Sequence, residues 1–210
     1  AGFAATAPVT SAALAIGTPV GALARAAVLS RGPGGHRSLG GLRTRVSRWG
    51  ARFDGRLRVC AVDRRTGRRV VFGAPGAPHA TVADAVCASC AIPFYFAPQR
   101  IGGREYVDGG AWSVTNMDAA YAGRGTQVLC LDPSAGLRGA GAPAVALRGA
   151  FRAAASLELQ TLRRRGARVA HVAPDARSGE AIGPNLMDPR RAEAALAAGY
   201  RQGLELAARR

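Results

Sequence analysis

Two short apolar runs separated by a helical stretch constrain this chain more than any other feature. Gln127–Leu131 and residues 167–173 both have the length and composition typical of buried strands in a parallel sheet. Between them, apolar residues recur at helical spacing from Phe151 to Leu162, and Gly166 comes next as a helix-ending residue. Strand, helix and strand in this order predict an α/β fold.

A further helix is predicted near the carboxyl end. Asp188 is placed to cap it and Pro189 to be its first helical residue. Its apolar positions recur at helical spacing, which predicts one buried face. That face would consist of Ala192, Ala195, Leu196, Gly199, Gly203 and Leu206.

The middle of the chain shows strand and cap signals. Residues 57–62 alternate and are rich in β-formers, and residues 69–72 come after a turn that ends in Gly67, which predicts a hairpin. Thr81 and Asp84 have the spacing of a helix-start capping pair, and Pro93 ends that helix.

Length and composition indicate one folded domain over residues 1–210. A content of 48% hydrophobic and 20% charged residues is typical of a globular protein rather than a disordered or membrane-spanning one. The net charge is +16, and every basic residue is an arginine. Such a charge attracts phospholipid headgroups and nucleic-acid phosphates alike, although scattered arginines also occur simply as solvated surface residues.

The apolar amino-terminal 28 residues are not predicted to span a membrane. Residues 1–13 carry no basic segment, and Pro8 and Pro19 interrupt the run before it reaches the ~20 apolar residues that a span needs.

The cysteines are predicted to be buried free thiols, since each lies in an apolar context. They are Cys60, Cys87, Cys90 and Cys130. Cys87 and Cys90 form a C-x-x-C, but without a second pair at zinc spacing or a nearby histidine, so core packing is favoured over metal binding. No metal site and no cofactor are predicted.

An aspartate comes directly after a brief predicted strand over residues 104–107. The tripeptide Asp108-Gly109-Gly110 puts a carboxylate at a strand end, next to two glycines that permit a sharp, close-packed turn. That position suits a group acting on a ligand, although Asp-Gly turns are often purely structural.

Two segments around this aspartate resemble the patatin-like phospholipase family. Residues 88–93 match a helix ending in A-S-x-A-x-P, and residues 103–110 match a G-x-x-Y-x-D-G-G strand; Asn116 is similar to the family's asparagine-bearing continuation. The resemblance implies an open α/β sheet of mainly parallel strands flanked by helices. It also implies that Asp108 is the base of a Ser-Asp dyad, within a D-G-G motif formed with Gly109 and Gly110.

The nucleophilic half of that dyad is not found. No G-x-S-x-G occurs in the 210 residues, and the two stretches that come closest, around Ser38 and Ser134, both lack the first glycine. Residues 1–28 resemble the segment that comes after the nucleophile in the family. We therefore expect the chain to be the carboxy-terminal part of such a domain, incomplete at its amino-terminal side and inactive alone.

The histidines and aromatic residues leave alternatives open. His36, His79 and His171 fit no triad pattern and are expected in loops or on the surface. Aromatic residues near Asp108 either line an acyl pocket or belong to the core. They are Phe94, Tyr95, Phe96 and Trp112.

The resemblance implies a lipid acyl hydrolase that cleaves fatty-acyl esters. The alternative is a non-catalytic α/β module that binds anionic lipid or protein partners through its arginines. Expected partners are an acyl-ester substrate and an anionic membrane surface, at a cytoplasmic or membrane-peripheral location. Nucleic-acid binding is disfavoured because no recognised motif accompanies the charge.

Overall fold

The computed structural model describes residues 19–32, 34–136, 142–184 and 188–208. The expectations for residues 1–18 lie outside the described residues. The helices are α1 (Pro19–Arg31), α2 (Gly40–Ser47), α3 (Val82–Ser89), α4 (Ala142–Arg164), α5 (Ala176–Ile182) and α6 (Ala192–Ala208). The strands are β1 (Val59–Asp63), β2 (Arg69–Phe72), β3 (Gln99–Ile101), β4 (Arg104–Asp108), β5 (Gln127–Leu131) and β6 (Arg168–Val172). Short 3₁₀ turns span Gly109–Ala111, Met117–Ala119, Pro133–Gly136 and Pro189–Arg191.

The larger sheet has four strands in the order β2-β1-β4-β3, and every neighbouring pair is antiparallel. The predicted hairpin is confirmed as β1 and β2, and its turn is held by Asp63, whose Oδ1 accepts from the amides of Arg65 and Thr66. A mainly parallel sheet is not confirmed, because short turns join β1 to β2 and β3 to β4, and a short turn forces the next strand to run back.

The four-stranded sheet is covered on both faces. On one face Phe72 and Tyr106 meet edge to face, with ring centroids 5.2 Å apart, and pack against α3. On the other face Val62 and Val107 pack against Leu29 of α1. Neighbouring residues such as Tyr106 and Val107 serve opposite faces because side chains alternate along a strand. This helix–sheet–helix layering confirms the α/β prediction.

The predicted parallel pair is confirmed as β5 and β6, with Gln127 opposite Arg168. One face packs on α4, where Cys130, Ala155 and Leu162 are buried together. The prediction that β5 is buried on both faces is wrong, because Leu129 and Leu131 lie on the other face and are 59% and 68% exposed. Within the described ranges no element covers that face.

The carboxy-terminal helix begins as predicted but is not buried as predicted. Asp188 Oδ1 accepts from the amide of Arg190 at 3.1 Å and caps the 3₁₀ turn that leads into α6. None of the described residues of α6 is buried, and Leu196 is 74% exposed. The expected buried face is wrong because α6 packs mainly on the short α5 rather than across a sheet.

No helix in the described part of the chain combines the length and the apolar character needed to cross a membrane.

Candidate functional site

Asp108 is the last residue of β4, as the sequence predicts. Its amide donates to the carbonyl of Ala91 at 3.0 Å, which ties the strand end to the exit of α3. Its carboxylate Oδ1 accepts from the amide of Gly110 at 2.6 Å and caps the next 3₁₀ turn. Because β4 runs antiparallel to both neighbours, this strand end does not lie on a shared carboxyl edge of the sheet.

A glycine is needed at position 109 because there is no room for a side chain, not because the backbone conformation demands one. It comes after the residue paired with Ala61, so it lies against β1, and a Cβ at this position would come within 2.5 Å of the carbonyl oxygen of Cys60. Its φ is not positive, unlike that of Gly102 or Gly103 in the β3–β4 turn. At Gly110 the nearest atom to an added Cβ is Asp108 Oδ1, at 3.0 Å.

Asn116 closes the loop that begins at the D-G-G turn. Its backbone is left-handed, with φ 46°, a conformation that asparagine tolerates better than most residues. Its side-chain Nδ2 donates to the carbonyl of Gly109 at 3.1 Å and also to that of Ser113. The sequence identified Asn116 by its place in the family's motif but did not predict its contact with Gly109. The tolerance of asparagine for positive φ is the sequence signal from which a turn at this position could have been predicted.

An ion pair holds Asn116 in place. Asn116 Oδ1 accepts from Arg69 at 3.2 Å, and Arg69 donates to both carboxylate oxygens of Asp118, at 2.5 and 2.8 Å. The bidentate geometry makes this a directional pair. The loop carbonyl next to Asp108 is thus fixed through Asn116 to an arginine on β2.

The carboxyl group of Asp108 has an unusual electrostatic environment. Burial raises the pKa of Asp108 to about 6 from 3.8, and the hydrogen bond from Gly110 opposes that rise only in part. Among the described residues no basic side chain forms an ion pair with it. A carboxyl with a pKa near neutrality accepts and returns a proton readily, as a general base must.

The aromatic residues near the D-G-G turn contact arginines, core residues or each other. Trp112 packs beside Val107, with the guanidinium of the buried Arg25 4.2 Å from its ring centroid. Tyr95 and Phe96 meet edge to face at 4.8 Å. For Trp112 these contacts favour the core interpretation over the acyl-pocket one.

The cysteines are free, and three of the four are at least partly buried. Cys87 and Cys130 are buried and Cys60 is half-buried, whereas Cys90 is exposed. The prediction is therefore wrong for Cys90. Although the residue is exposed as a whole, partial burial of its thiol raises the pKa of Cys90, and the neighbouring charge of Asp108 adds to that rise.

The two serines that come closest to the family's nucleophile motif have other partners. The hydroxyl oxygen of Ser38 accepts from the amide of Gly40 at 3.1 Å. Ser134 lies just beyond β5 and donates its hydroxyl proton to Asp132 Oδ1, while His171 Nε2 lies 3.3 Å from Asp132 Oδ2. Asp132 stands between the two, so the hydroxyl contacts the carboxylate rather than the imidazole and the three do not form a triad.

These three residues line a cavity of about 410 Å³ whose other walls include Phe151 and Leu159. Asp108 is not among the described residues that line it. The structure therefore separates Ser134 from the predicted catalytic aspartate instead of bringing the two together in one pocket.

Comparison with known proteins gives one family match. The model described as Patatin: Patatin-like phospholipase matches residues 11–121. This segment is more than half of the 210 residues and contains α1, the four-stranded sheet, the D-G-G turn and Asn116. No curated protein matches the chain.

Proposed function

The chain belongs to the patatin-like phospholipase family, and on that premise we propose that it carries the catalytic aspartate of a lipid acyl hydrolase acting on fatty-acyl esters. The domain would be the carboxy-terminal part of a patatin-like hydrolase domain. Its partners would be the acyl-ester substrate and a membrane surface, at a cytoplasmic or membrane-peripheral location.

In this proposal Asp108 acts as the general base of a Ser-Asp dyad. It takes the proton of a serine hydroxyl as the serine oxygen attacks the acyl carbonyl, and then returns that proton to the departing alcohol. Asp108 next takes a proton from water as the water oxygen attacks the acyl carbonyl, and gives that proton to the departing serine oxygen, which restores the serine hydroxyl and the carboxylate. Neither step uses a metal or a cofactor.

No G-x-S-x-G occurs in the 210 residues, so the proposal assigns the nucleophile to a segment that this sequence does not contain. The 210 residues alone are then expected to lack hydrolytic activity, because a base without a nucleophile has nothing to activate.

The environment of Asp108 is the observation that carries the proposal. A solvated turn aspartate has a pKa near 3.8, whereas burial raises that of Asp108 to about 6. The fold holds this carboxyl by Gly110 on one side and holds its turn by Asn116 on the other. Perturbed carboxyl groups of this kind concentrate at functional sites.

Asp108→Asn tests the assignment in the product of the whole open reading frame that contains this sequence. The substitution keeps size and shape but removes basicity, so turnover of a nitrophenyl ester should fall ~10²- to 10⁴-fold. Asp54→Asn is the matched control, because Asp54 is an exposed residue paired with Arg56. Its turnover should equal that of the unmodified protein.

Normal turnover in a well-folded Asp108→Asn protein would remove this residue from the mechanism. The family relationship would then be one of fold alone.

A second function, a non-catalytic module that binds anionic lipid or protein, is favoured by the net charge of +16. It becomes the better account if the product of the whole reading frame hydrolyses no ester yet binds anionic partners.

A further inference from the structure

Three arginines lie close in the sequence to one exposed tryptophan where α2 ends. We define the Trp49 patch as Arg45, Arg48, Trp49 and Arg52. All four residues are exposed, and the indole of Trp49 is 69% exposed. An indole this accessible is unusual, since tryptophan is highly buried on average.

Val46 anchors the segment that carries the patch. This residue, in the last turn of α2, is 2% exposed and packs against Val82 and Ala83 of α3. The helix then ends in a tight turn, in which the amide of Trp49 donates to the carbonyl of Val46 at 3.1 Å. The end of α2 is therefore anchored to α3 through Val46, while the indole and the three arginines of the patch are exposed.

None of the described acidic residues neutralises the positive charge of the patch. The neighbouring Arg43 pairs with Asp84. In the described part of the chain, by contrast, Arg45, Arg48 and Arg52 have no acidic partner within 4.0 Å. Three such arginines within four residues of one exposed indole attract a surface that is both anionic and able to take up an aromatic ring.

An anionic lipid bilayer is such a surface. Tryptophan favours the region between headgroups and acyl chains, and arginines near that region gain free energy from anionic lipid. A single-stranded nucleic acid would need successive aromatic platforms along a basic groove, whereas the patch offers one ring on an outward-facing helix end.

We propose that the Trp49 patch docks the protein on anionic lipid bilayers, with the indole inserted among the headgroups and the three arginines paired with lipid phosphates. The choice of lipid over other polyanions rests on the proposed function, since a lipid hydrolase must meet its substrate at such a surface.

Vesicle co-sedimentation tests the docking surface without using hydrolysis. The probes are vesicles of phosphatidylcholine alone and of phosphatidylcholine mixed with phosphatidylglycerol. The chain should bind the mixed vesicles, and added salt should weaken that binding. Replacing Arg45, Arg48 and Arg52 with glutamine should lower the partition coefficient roughly fivefold per residue and on the order of 100-fold together.

A matched triple variant separates the patch from net charge. Arg163, Arg164 and Arg168 are exposed and lie on α4 and β6, away from α2. Glutamine at these three positions lowers the net charge from +16 to +13, as the patch variant does, but should leave vesicle binding within about twofold, because charges distant from the surface are screened. An equal loss in both triple variants would overturn the proposal.

Tryptophan fluorescence tests the insertion. Mixed vesicles should shift the tryptophan emission to shorter wavelength, and Trp49→Ala should abolish that shift and weaken vesicle binding. Tyr200→Ala, which removes another exposed aromatic residue, is the control and should change neither the shift nor the binding. Unchanged emission, or tight binding to a single-stranded oligonucleotide with none to vesicles, would refute lipid docking. Vesicle binding without ester hydrolysis by the whole reading-frame product would leave docking intact and refute only the proposed function.

Discussion

At the residue scale, the pKa of Asp108 depends on how far its carboxyl group is removed from water. Asp108 is an ordinary turn aspartate in its local contacts, because it caps a 3₁₀ turn through the amide of Gly110. Its pKa nevertheless rises to about 6, since burial costs the ionised form more than that one hydrogen bond restores. A carboxyl that exchanges a proton near neutral pH and a destabilised folded state above that pH are two consequences of the same environment.

The pKa of Asp108 predicts the sign of its effect on stability. Because the folded-state pKa lies above the unfolded value, the native protein binds more protons between about pH 4 and pH 6, and this residue makes stability fall as pH rises through that window. Asp108→Asn should therefore stabilise the protein above pH 6, by at most about 3 kcal/mol, and leave it unchanged below pH 4. Urea unfolding at pH 4 and pH 8 measures the difference.

Asp54→Asn is again the control, because the pKa of the exposed Asp54 is lowered by its hydrogen bonds with Arg56 and so shifts the other way. An Asp108→Asn protein less stable than the unmodified one at pH 8 would mean that the carboxylate is a structural cap that asparagine cannot replace.

At the element scale, the D-G-G turn depends on how closely two strands approach. Gly109 lies against the backbone of β1, so β4 can turn there only without a side chain. Asn116 then binds the carbonyl of the same glycine from the other end of the loop. The turn that carries Asp108 is thus held between a strand and an asparagine.

Gly109→Ala should destabilise the protein, because the added Cβ would lie 2.5 Å from the carbonyl oxygen of Cys60 and the strands would have to separate. Overpacking of this kind typically costs about 1–3 kcal/mol. Thermal melting measures the change.

Gly110→Ala is the matched substitution, since its added Cβ meets only the side chain of Asp108, at 3.0 Å. It should melt closer to the unmodified protein. Equal melting temperatures for Gly109→Ala and the unmodified chain would contradict the close approach of β1 and β4.

At the scale of the whole molecule, the distribution of side chains shows which parts pack well. The four-stranded sheet has helices on both faces, whereas β5 and α6 expose Leu129, Leu131 and Leu196. The family match ends at residue 121, before both of these elements. The part of the chain that matches the family thus contains the sheet that is packed on both faces.

The 210-residue chain should show no serine-dependent esterase activity. Ser134 donates to Asp132 rather than to a histidine, and the hydroxyl oxygen of Ser38 accepts from the amide of Gly40. Among the described residues, no hydrogen bond joins either serine to the carboxylate of Asp108, which accepts from the amide of Gly110. Nitrophenyl acetate should be hydrolysed at the rate in buffer, and a fluorophosphonate should label no serine.

Turnover that a fluorophosphonate abolishes would reveal an overlooked nucleophile. Ser134→Ala and Ser38→Ala, compared with each other, would then show which of the two serines is responsible.

Several features of the fold could be predicted because the interactions that form them are local. The β1–β2 hairpin results from alternation and a turn aspartate, and the Thr81 cap from two side chains three residues apart. The position of Asp108 at a strand end and the start of the carboxy-terminal helix at Asp188 were predictable in the same way. The parallel pairing of β5 with β6 joins distant residues, but it could be predicted because a helix between two strands lets the second strand run in the same direction as the first.

The features that could not be predicted depend on which residues distant in the chain come together. The sequence by itself determined the caps at Thr81 and Asp188 and the turn of the β1–β2 hairpin, since hydrogen bonds between residues close along the chain form them. Only the tertiary structure decided that the larger sheet is antiparallel, that Gly109 lies against β1, that α6 is exposed and that the indole of Trp49 is exposed. It also set the pKa of Asp108, because desolvation depends on every element packed around a group and not on the residues beside it.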